Sequence, residues 1–320
     1  MFTEGKVAGM RFNPRARIDQ SQVENRGGGG FGGGLGSGGM RLPIPTGGGG
    51  RVGVGTIVII LLFVLISTCT GNGLIPGDGG DNGGTTTGTT GENTCRTGED
   101  ANQNQDCAID LITNSVQNYW SQAYEQQVGQ PYQDIRTVKY SGQTSSACGT
   151  ASSAMGPFYC PNDQLVYIDT SFMQDMLQGQ LGAEGGPFAL AYVIAHEYGH
   201  HVQDLLGVLG RMRTQHGARS DSVRTELMAD CLAGAWARSA QTTTDAEGNR
   251  IIEDLTQDDI ARAIDAAQAV GDDRIQKQSS GRVNPEAWTH GSSEQRVHWF
   301  NVGLKEGTLE ACDTFAPGAL

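Results

Sequence analysis

No Cys-x-x-Cys pair occurs anywhere in the 320 residues, so no cysteine-rich structural zinc site of the finger or ribbon kind is expected. No basic stripe is present either. Lys and Arg number 22 against 35 Asp and Glu, for a net charge of -13. Such an acidic chain does not match the phosphate backbone, and nucleic acid is not expected as a partner. Only one long hydrophobic run exists, over residues 52–70. More than one transmembrane helix is therefore not expected. Histidine is scarce, at six residues, so two of them falling close together in a pattern carries information.

They do so in Ala195-His196-Glu197-Tyr198-Gly199-His200-His201, which contains His-Glu-x-x-His. With 6 His and 14 Glu in the chain, random placement gives roughly 0.005 expected matches to this pattern. The stretch lies in a run that reads as helix from about Pro187 to Leu206. Residues four apart share a helical face, so His196 and His200 can present two imidazoles to one metal ion. Glu197 can then reach a water on that metal as a general base. The plainer alternative is a helix with two surface histidines. Phe188 to Ala195 are apolar nearly all round, which predicts a buried helix whose histidines need partners.

The chain divides by composition. Residues 1–51 hold seven Lys/Arg and three acids, and runs of glycine such as residues 27–30 and 47–50, and read as a disordered segment. Met10 would serve as a start as well as Met1 does. Residues 52–70 carry no charge and, as nineteen residues of helix, would reach about 28 Å, enough for one transmembrane helix. A cleaved signal peptide fits less well, because 51 residues precede the run and no small-x-small site follows it. The positive charge on its N-terminal side predicts a cytoplasmic N-terminus and an extracytoplasmic remainder. Residues 71–105, rich in Gly and Thr, read as a linker.

Residues 106–320 have the composition of a folded domain. A first helix is expected through Ile109, Ile112, Val116 and Trp120, then strands over 134–140, 155–159 and 165–169, with a turn at Pro161-Asn162-Asp163. Helices follow over about 221–240, 256–276 capped by Thr256, and 293–306 stopped by Gly307. A few strands ahead of most of the helices make the class α+β, with one small mixed sheet. Six of the seven cysteines follow the hydrophobic run. In an oxidising compartment they allow several connectivities. Cys148 with Cys160 would brace the strand pair, Cys95 with Cys107 the domain entrance, and Cys231 with Cys312 would remain.

A catalytic zinc takes three protein ligands and keeps one open position. Residues 201–206 do not supply a third His in the metzincin spacing. The best candidate is Glu226 in Thr225-Glu226-Leu227-Met228-Ala229-Asp230. Asp230, four residues on, is placed to accept a hydrogen bond from a ligand His. A solvated Glu/Asp face is the alternative, and the apolar residues on either side speak against it. His290 precedes a helix and is a candidate either for hydrogen-bonding the developing oxyanion or for capping that helix. His201 reads as structural, while His216 and His298 have no claim on the site.

These segments together resemble a known family. They are Gln22-Val23-Glu24, Gly156-Pro157-Phe158-Tyr159-Cys160-Pro161, Val166-Tyr167-Ile168-Asp169, His196 to Gln203, Glu226 to Cys231 and Thr289 to Arg296, with the single hydrophobic run. In them the chain is similar to the bacterial membrane-anchored neutral zinc metallopeptidases, gluzincin-like in ligand pattern. The resemblance implies a zincin-like fold, Zn2+ on His196, His200 and Glu226, Glu197 as general base, and a peptide or protein substrate. It also implies an edge strand beside the active helix that pairs with substrate backbone, for which Leu165–Asp169 is the candidate. Two other functions fit the same residues: a zinc-stabilised envelope scaffold without turnover, and a hydrolase of a non-peptide amide. Nothing in the sequence sets the oligomeric state.

Overall fold

The computed structural model describes residues 9–26 and 94–320. Two short strands come first, β1 (Arg11–Phe12) and β2 (Val23–Asn25). Helices α1 (Gly98–Gln103) and α2 (Gln105–Val128) follow, the latter capped by Asn104 and ended by Gly129 in the left-handed conformation. Then come β3 (Arg136–Tyr140), the hairpin β4 (Gln143–Ser146) and β5 (Gly149–Ser152), β6 (Phe158–Cys160) and β7 (Leu165–Asp169). The C-terminal part holds α3 (Pro187–Leu205), α4 (Asp221–Ser239), β8 (Ile252–Asp254), α5 (Gln257–Ala269), α6 (Asp272–Ser280) and α7 (Ser293–Glu306). The class is α+β, as the order of elements predicts.

The main sheet has the order β2-β3-β7-β6. The first three strands run parallel and β6 is antiparallel to β7, so the sheet is mixed. α3 lies at the centre of the core. Its residues Phe188 to Gln203 are all buried, because α2, α4, α5 and β6 surround it. That is why the helix lacks a polar stripe. Pro187 opens it, where a missing N–H costs nothing. Lys139 on β3 is buried and lies 2.5 Å from Asp110 of α2, a paired charge that ties the sheet to that helix.

Two boundaries expected from composition differ from the structure, at the N-terminal segment and at the start of the folded domain. Residues 9–26 are not disordered. β2 pairs in parallel with β3, and β1 pairs antiparallel with β8. Met10, Phe12 and Ala16 are buried. The Asn102 side chain accepts from Phe12 N and donates to Phe12 O, both at 2.9 Å, and Asn114 does the same with Asp19. The folded body likewise starts before residue 106, since α1 and Cys95 belong to it. Strands of two or three residues show no periodicity, and the neighbouring glycine runs swamp their composition.

Residues 9–26 and 94–320 share one body, joined by the β2–β3 and β1–β8 pairings. The hydrophobic stretch 52–70 lies outside the described residues. Among the described residues no helix is long and apolar enough to cross a membrane.

Three disulfides are formed, Cys95–Cys107, Cys148–Cys160 and Cys231–Cys312. They are the pairings expected from position. The second brings the turn of the β4–β5 hairpin to the end of β6, and the third fixes the C-terminal tail to α4. One expected helix is two. The run from Gln257 breaks at Gly271, where a side chain would meet Ser293 N at 2.5 Å, and α6 starts in a new direction.

Candidate metal centre and active site

The motif helix α3 and helix α4 cross at Gly199. A Cβ on that residue would lie 3.0 Å from Ala229 Cα, so glycine lets the two backbones come close. The crossing brings Glu226 against both histidines. His196 Nε2 lies 3.2 Å from Glu226 Oε2, and His200 Nε2 lies 3.6 Å from Glu226 Oε1. One ligand atom from each of His196, His200 and Glu226 falls within 4.8 Å of the others, and all three residues are buried. The set of two imidazoles and one carboxylate suits Zn2+.

The far nitrogens are also accounted for. His196 Nδ1 is 2.9 Å from Asp230 Oδ1, and His200 Nδ1 is 2.9 Å from Gln203 Oε1. Each ring is thereby fixed with Nε2 turned toward Glu226. Gln203 in turn donates to Thr225 O on α4. Asp230 is fully buried and accepts from Tyr192 OH at 2.6 Å, Arg296 Nε at 2.8 Å and Arg296 Nη2 at 2.9 Å. The guanidinium neutralises a carboxylate that burial would otherwise penalise.

Glu197 is buried beside the ligands and accepts a hydrogen bond from Tyr159 N at 3.0 Å. Tyr159 belongs to β6, the end strand of its sheet. The strand expected to receive substrate, Leu165–Asp169, is bonded on both sides, by β3 and by β6. Among the described residues the open edge beside the active helix is therefore β6. His290 sits on the turn between α6 and α7, close enough to Glu226 that each charge acts on the other. It does not cap α7; Ser292 does, in a capping box with Gln295.

Residues 10–315 match the family described as "Putative neutral zinc metallopeptidase". The chain belongs to that family. It is 50% identical over 228 residues to the uncharacterized protein Rv2575 of Mycobacterium tuberculosis, covering 71% of this chain and 76% of that one. The uncharacterized protein YpfJ of Escherichia coli K12 is 46% identical over 211 residues, 64% of this chain and 69% of that one. No solved structure matches the chain.

In this member of the zinc metallopeptidase family the electrostatics follow from burial and pairing. Burial pushes His196 down, but the Asp230 charge and the bonds from Asp230 and Glu226 outweigh it and leave the ring raised to about 10. His200 is lowered, burial prevailing over the attraction of Glu226. Burial pushes Glu197 up to about 7, with the positive field of His196 only partly offsetting it. Glu226 and Asp230 go the other way. Despite burial, His200 and His290 hold Glu226 well below the carboxylate range, and Arg296 and His196 hold Asp230 down.

Of the other histidines, His201 is buried between Tyr159 OH and Gln133 O, a structural place, and His216 and His298 are exposed. Four contributors are given no role by the motifs: Tyr192, Gln203, Arg296 and the backbone of Tyr159. Arg296 had a signal. It shares a stripe with Trp299, Phe300 and Gly303, the buried face of α7, and an arginine on that face needs an acid. Tyr192 lies one turn before His196 on the same face.

Proposed function

We propose that the protein is an extracytoplasmic, membrane-associated zinc metallopeptidase that hydrolyses peptide bonds. The observation that carries this is the convergence of His196 Nε2, His200 Nε2 and Glu226 within 4.8 Å, with the carboxyl of Glu197 next to them. A zinc ion bound there supplies Lewis acidity, which makes water a nucleophile at neutral pH and polarises a carbonyl. Glu197 takes a proton from the attacking water at a carboxylate oxygen and returns it to the departing amine nitrogen. A carboxylate in reach of both atoms can do both. Asp230, Arg296 and Gln203 hold the imidazoles in place throughout. Tyr159 N on the open edge of β6 faces Glu197, and an extended peptide backbone added beside that strand would lie across the site. Three disulfides support an oxidising compartment for the whole folded body. The run 52–70 supports association with a membrane.

The test is metal analysis and cleavage of a broad peptide library by the full chain in detergent. A fragment starting at residue 92 would lack β1 and β2. Glu197→Gln is expected to keep about one zinc and lose roughly a thousandfold in turnover. Glu226→Ala is expected to lose zinc, its affinity falling by more than about 100-fold. A wild-type protein that holds stoichiometric zinc and cleaves no peptide would sink the reading and favour a zinc-stabilised scaffold.

A further inference from the structure

β6 is three residues long and has one strand neighbour among the described residues, β7. Its side chains alternate in direction. Tyr159 faces α3, where its OH donates to Asp204 Oδ2 at 2.8 Å. Phe158 and Cys160 face the other way, into a separate apolar cluster with Tyr140, Ala151, Met155 and Tyr167. The β4–β5 hairpin supplies Ala151 to that cluster, so it backs β6 from the side away from the metal site. The hairpin tip also reaches the end of β6 directly. Cys148 is bonded to Cys160. Ala147 N donates to Asp163 Oδ2 at 2.8 Å, and Asn162 Nδ2 donates to Ala147 O at 3.3 Å. Both hydrogen bonds are exposed, and water competes for them. The disulfide is the strong link.

The three disulfides differ in access. Cys95, Cys107, Cys231 and Cys312 are each 4% exposed or less. Cys160 is fully buried as well. Cys148 is only partly buried, and its neighbours Ala147 and Gly149 on the hairpin turn are exposed. A thiolate arriving from solution therefore has one sulfur to attack, Cys148 Sγ, and the leaving sulfur is that of Cys160. Cys160 directly follows Tyr159, whose backbone N–H holds Glu197 at 3.0 Å. The most accessible bridge of the three is thus the one fastened to the strand beside the general base.

We propose that Cys148–Cys160 is a reducible bridge through which a dithiol protein of the Cys-x-x-Cys class loosens the β6 edge of the cleft and lowers its hold on an extended peptide. A thiolate of the reductant attacks Cys148 Sγ, breaks the S–S bond and forms a mixed disulfide with it. Cys160 leaves as a thiolate and takes up a proton. The second thiol of the reductant loses its proton and attacks its own partner sulfur, and Cys148 leaves and is protonated in turn. Two electrons and two protons pass to the protein, and the reductant is left as a disulfide. With the bond open, β6 keeps only its short pairing with β7 and its apolar contacts, and the Tyr159 N–Glu197 bond loosens with it. The part that concerns peptides rests on the metallopeptidase reading; the part that concerns selective reduction does not.

The experiment uses the full chain in detergent, loaded with zinc, and dithiothreitol as the reductant. Native protein is exposed to it for graded times, quenched in denaturant with N-ethylmaleimide and mapped by mass spectrometry. Cys148 and Cys160 are expected to open at least roughly tenfold faster than the other two pairs. All three pairs opening together, or none, would overturn the proposal. A second readout also needs no turnover. Once the reductant is washed out, amide hydrogen exchange should quicken in residues 143–160 and stay as it was in α3 and α4. Unchanged exchange in β6 would make the bridge a surface staple and overturn the link. For any peptide the protein cleaves, the reduced form should show KM raised by roughly tenfold, the size of one or two lost backbone hydrogen bonds, with zinc content unchanged and KM restored on reoxidation. Zinc loss, or a change that survives reoxidation, would mean general unfolding and count against the proposal. Cys148→Ser combined with Cys160→Ser should show the raised KM from the start and no response to dithiothreitol; should that pair not fold, the wild-type measurements still decide. Selective opening with faster β6 exchange in a protein that cleaves nothing would instead fault the metallopeptidase reading and leave the reducible bridge standing.

Discussion

Arg296 is the cation that lets a fully buried carboxylate sit behind His196. Without it Asp230 would be driven to take a proton, and the bond that fixes the imidazole would weaken. The same charges set how the zinc-free protein responds to pH. His196 is raised from 6.5 to about 10, so its contribution to stability is full below 6.5 and is lost as pH rises through 10. Glu197 is raised from 4.5 to about 7, so ionising it costs the fold progressively over that interval. Glu226 and Asp230 are depressed, so their contributions stand above the ordinary carboxylate range and fail only as pH falls toward their lowered values. Chelated protein is therefore expected to be most stable near pH 5–6 and to lose urea resistance steadily toward pH 10. Zinc displaces the proton from His196, so the loaded protein should gain stability relative to the chelated one as pH rises. Urea midpoints for both forms across pH 5 to 10 check this; a flat chelated profile would show that His196 is not held as a cation.

Glycines decide how closely the helices approach, and through that where the side chains meet. At Gly303 on α7 a Cβ would lie 1.8 Å from Cys231 O, and at Gly234 on α4 one would lie 2.1 Å from Phe300 O. This paired contact seats Arg296 against Asp230. Gly303→Ala has no flexible neighbour to push aside, so α7 must move as a body. A loss of about 3 kcal/mol or more is expected in urea unfolding, together with weaker zinc retention because Arg296 is withdrawn. Wild-type zinc affinity in a destabilised Gly303→Ala protein would show that α7 supports the fold and not the site. At this scale the sequence was informative where its signals are local. His196, Glu197 and His200 form a helical motif, Glu226 and Asp230 are one turn apart, and Thr256 and Gly307 mark helix ends. Arg296 required seeing that a charge falls on the buried stripe of its helix. β6 as the open edge required the strand order, which arises from tertiary contacts that no periodicity encodes.

The whole molecule is closed by its first described residues. Residues 9–26 supply an edge strand to the main sheet and a partner to β8, and they fill the core with Met10, Phe12 and Ala16. Detaching them would expose that apolar surface, uncover the edge of β3 and leave Asn102 and Asn114 with unmet bonds. The charge rule applied to residues 1–51 assigned this segment to the cytoplasm because it counts arginines and ignores pairing. Hydrogen bonds in two strands and the burial of three apolar side chains hold it on the folded body. The consequence can be measured in cells. Arg15 and Lys305 are both exposed, one on the N-terminal segment and one on α7. Arg15→Cys and Lys305→Cys, made separately, should react alike with a membrane-impermeant maleimide, and the three disulfides argue that both will be labelled. Labelling at Lys305→Cys with protection at Arg15→Cys, reversed on lysis, would place the two parts in different compartments and break the single body apart.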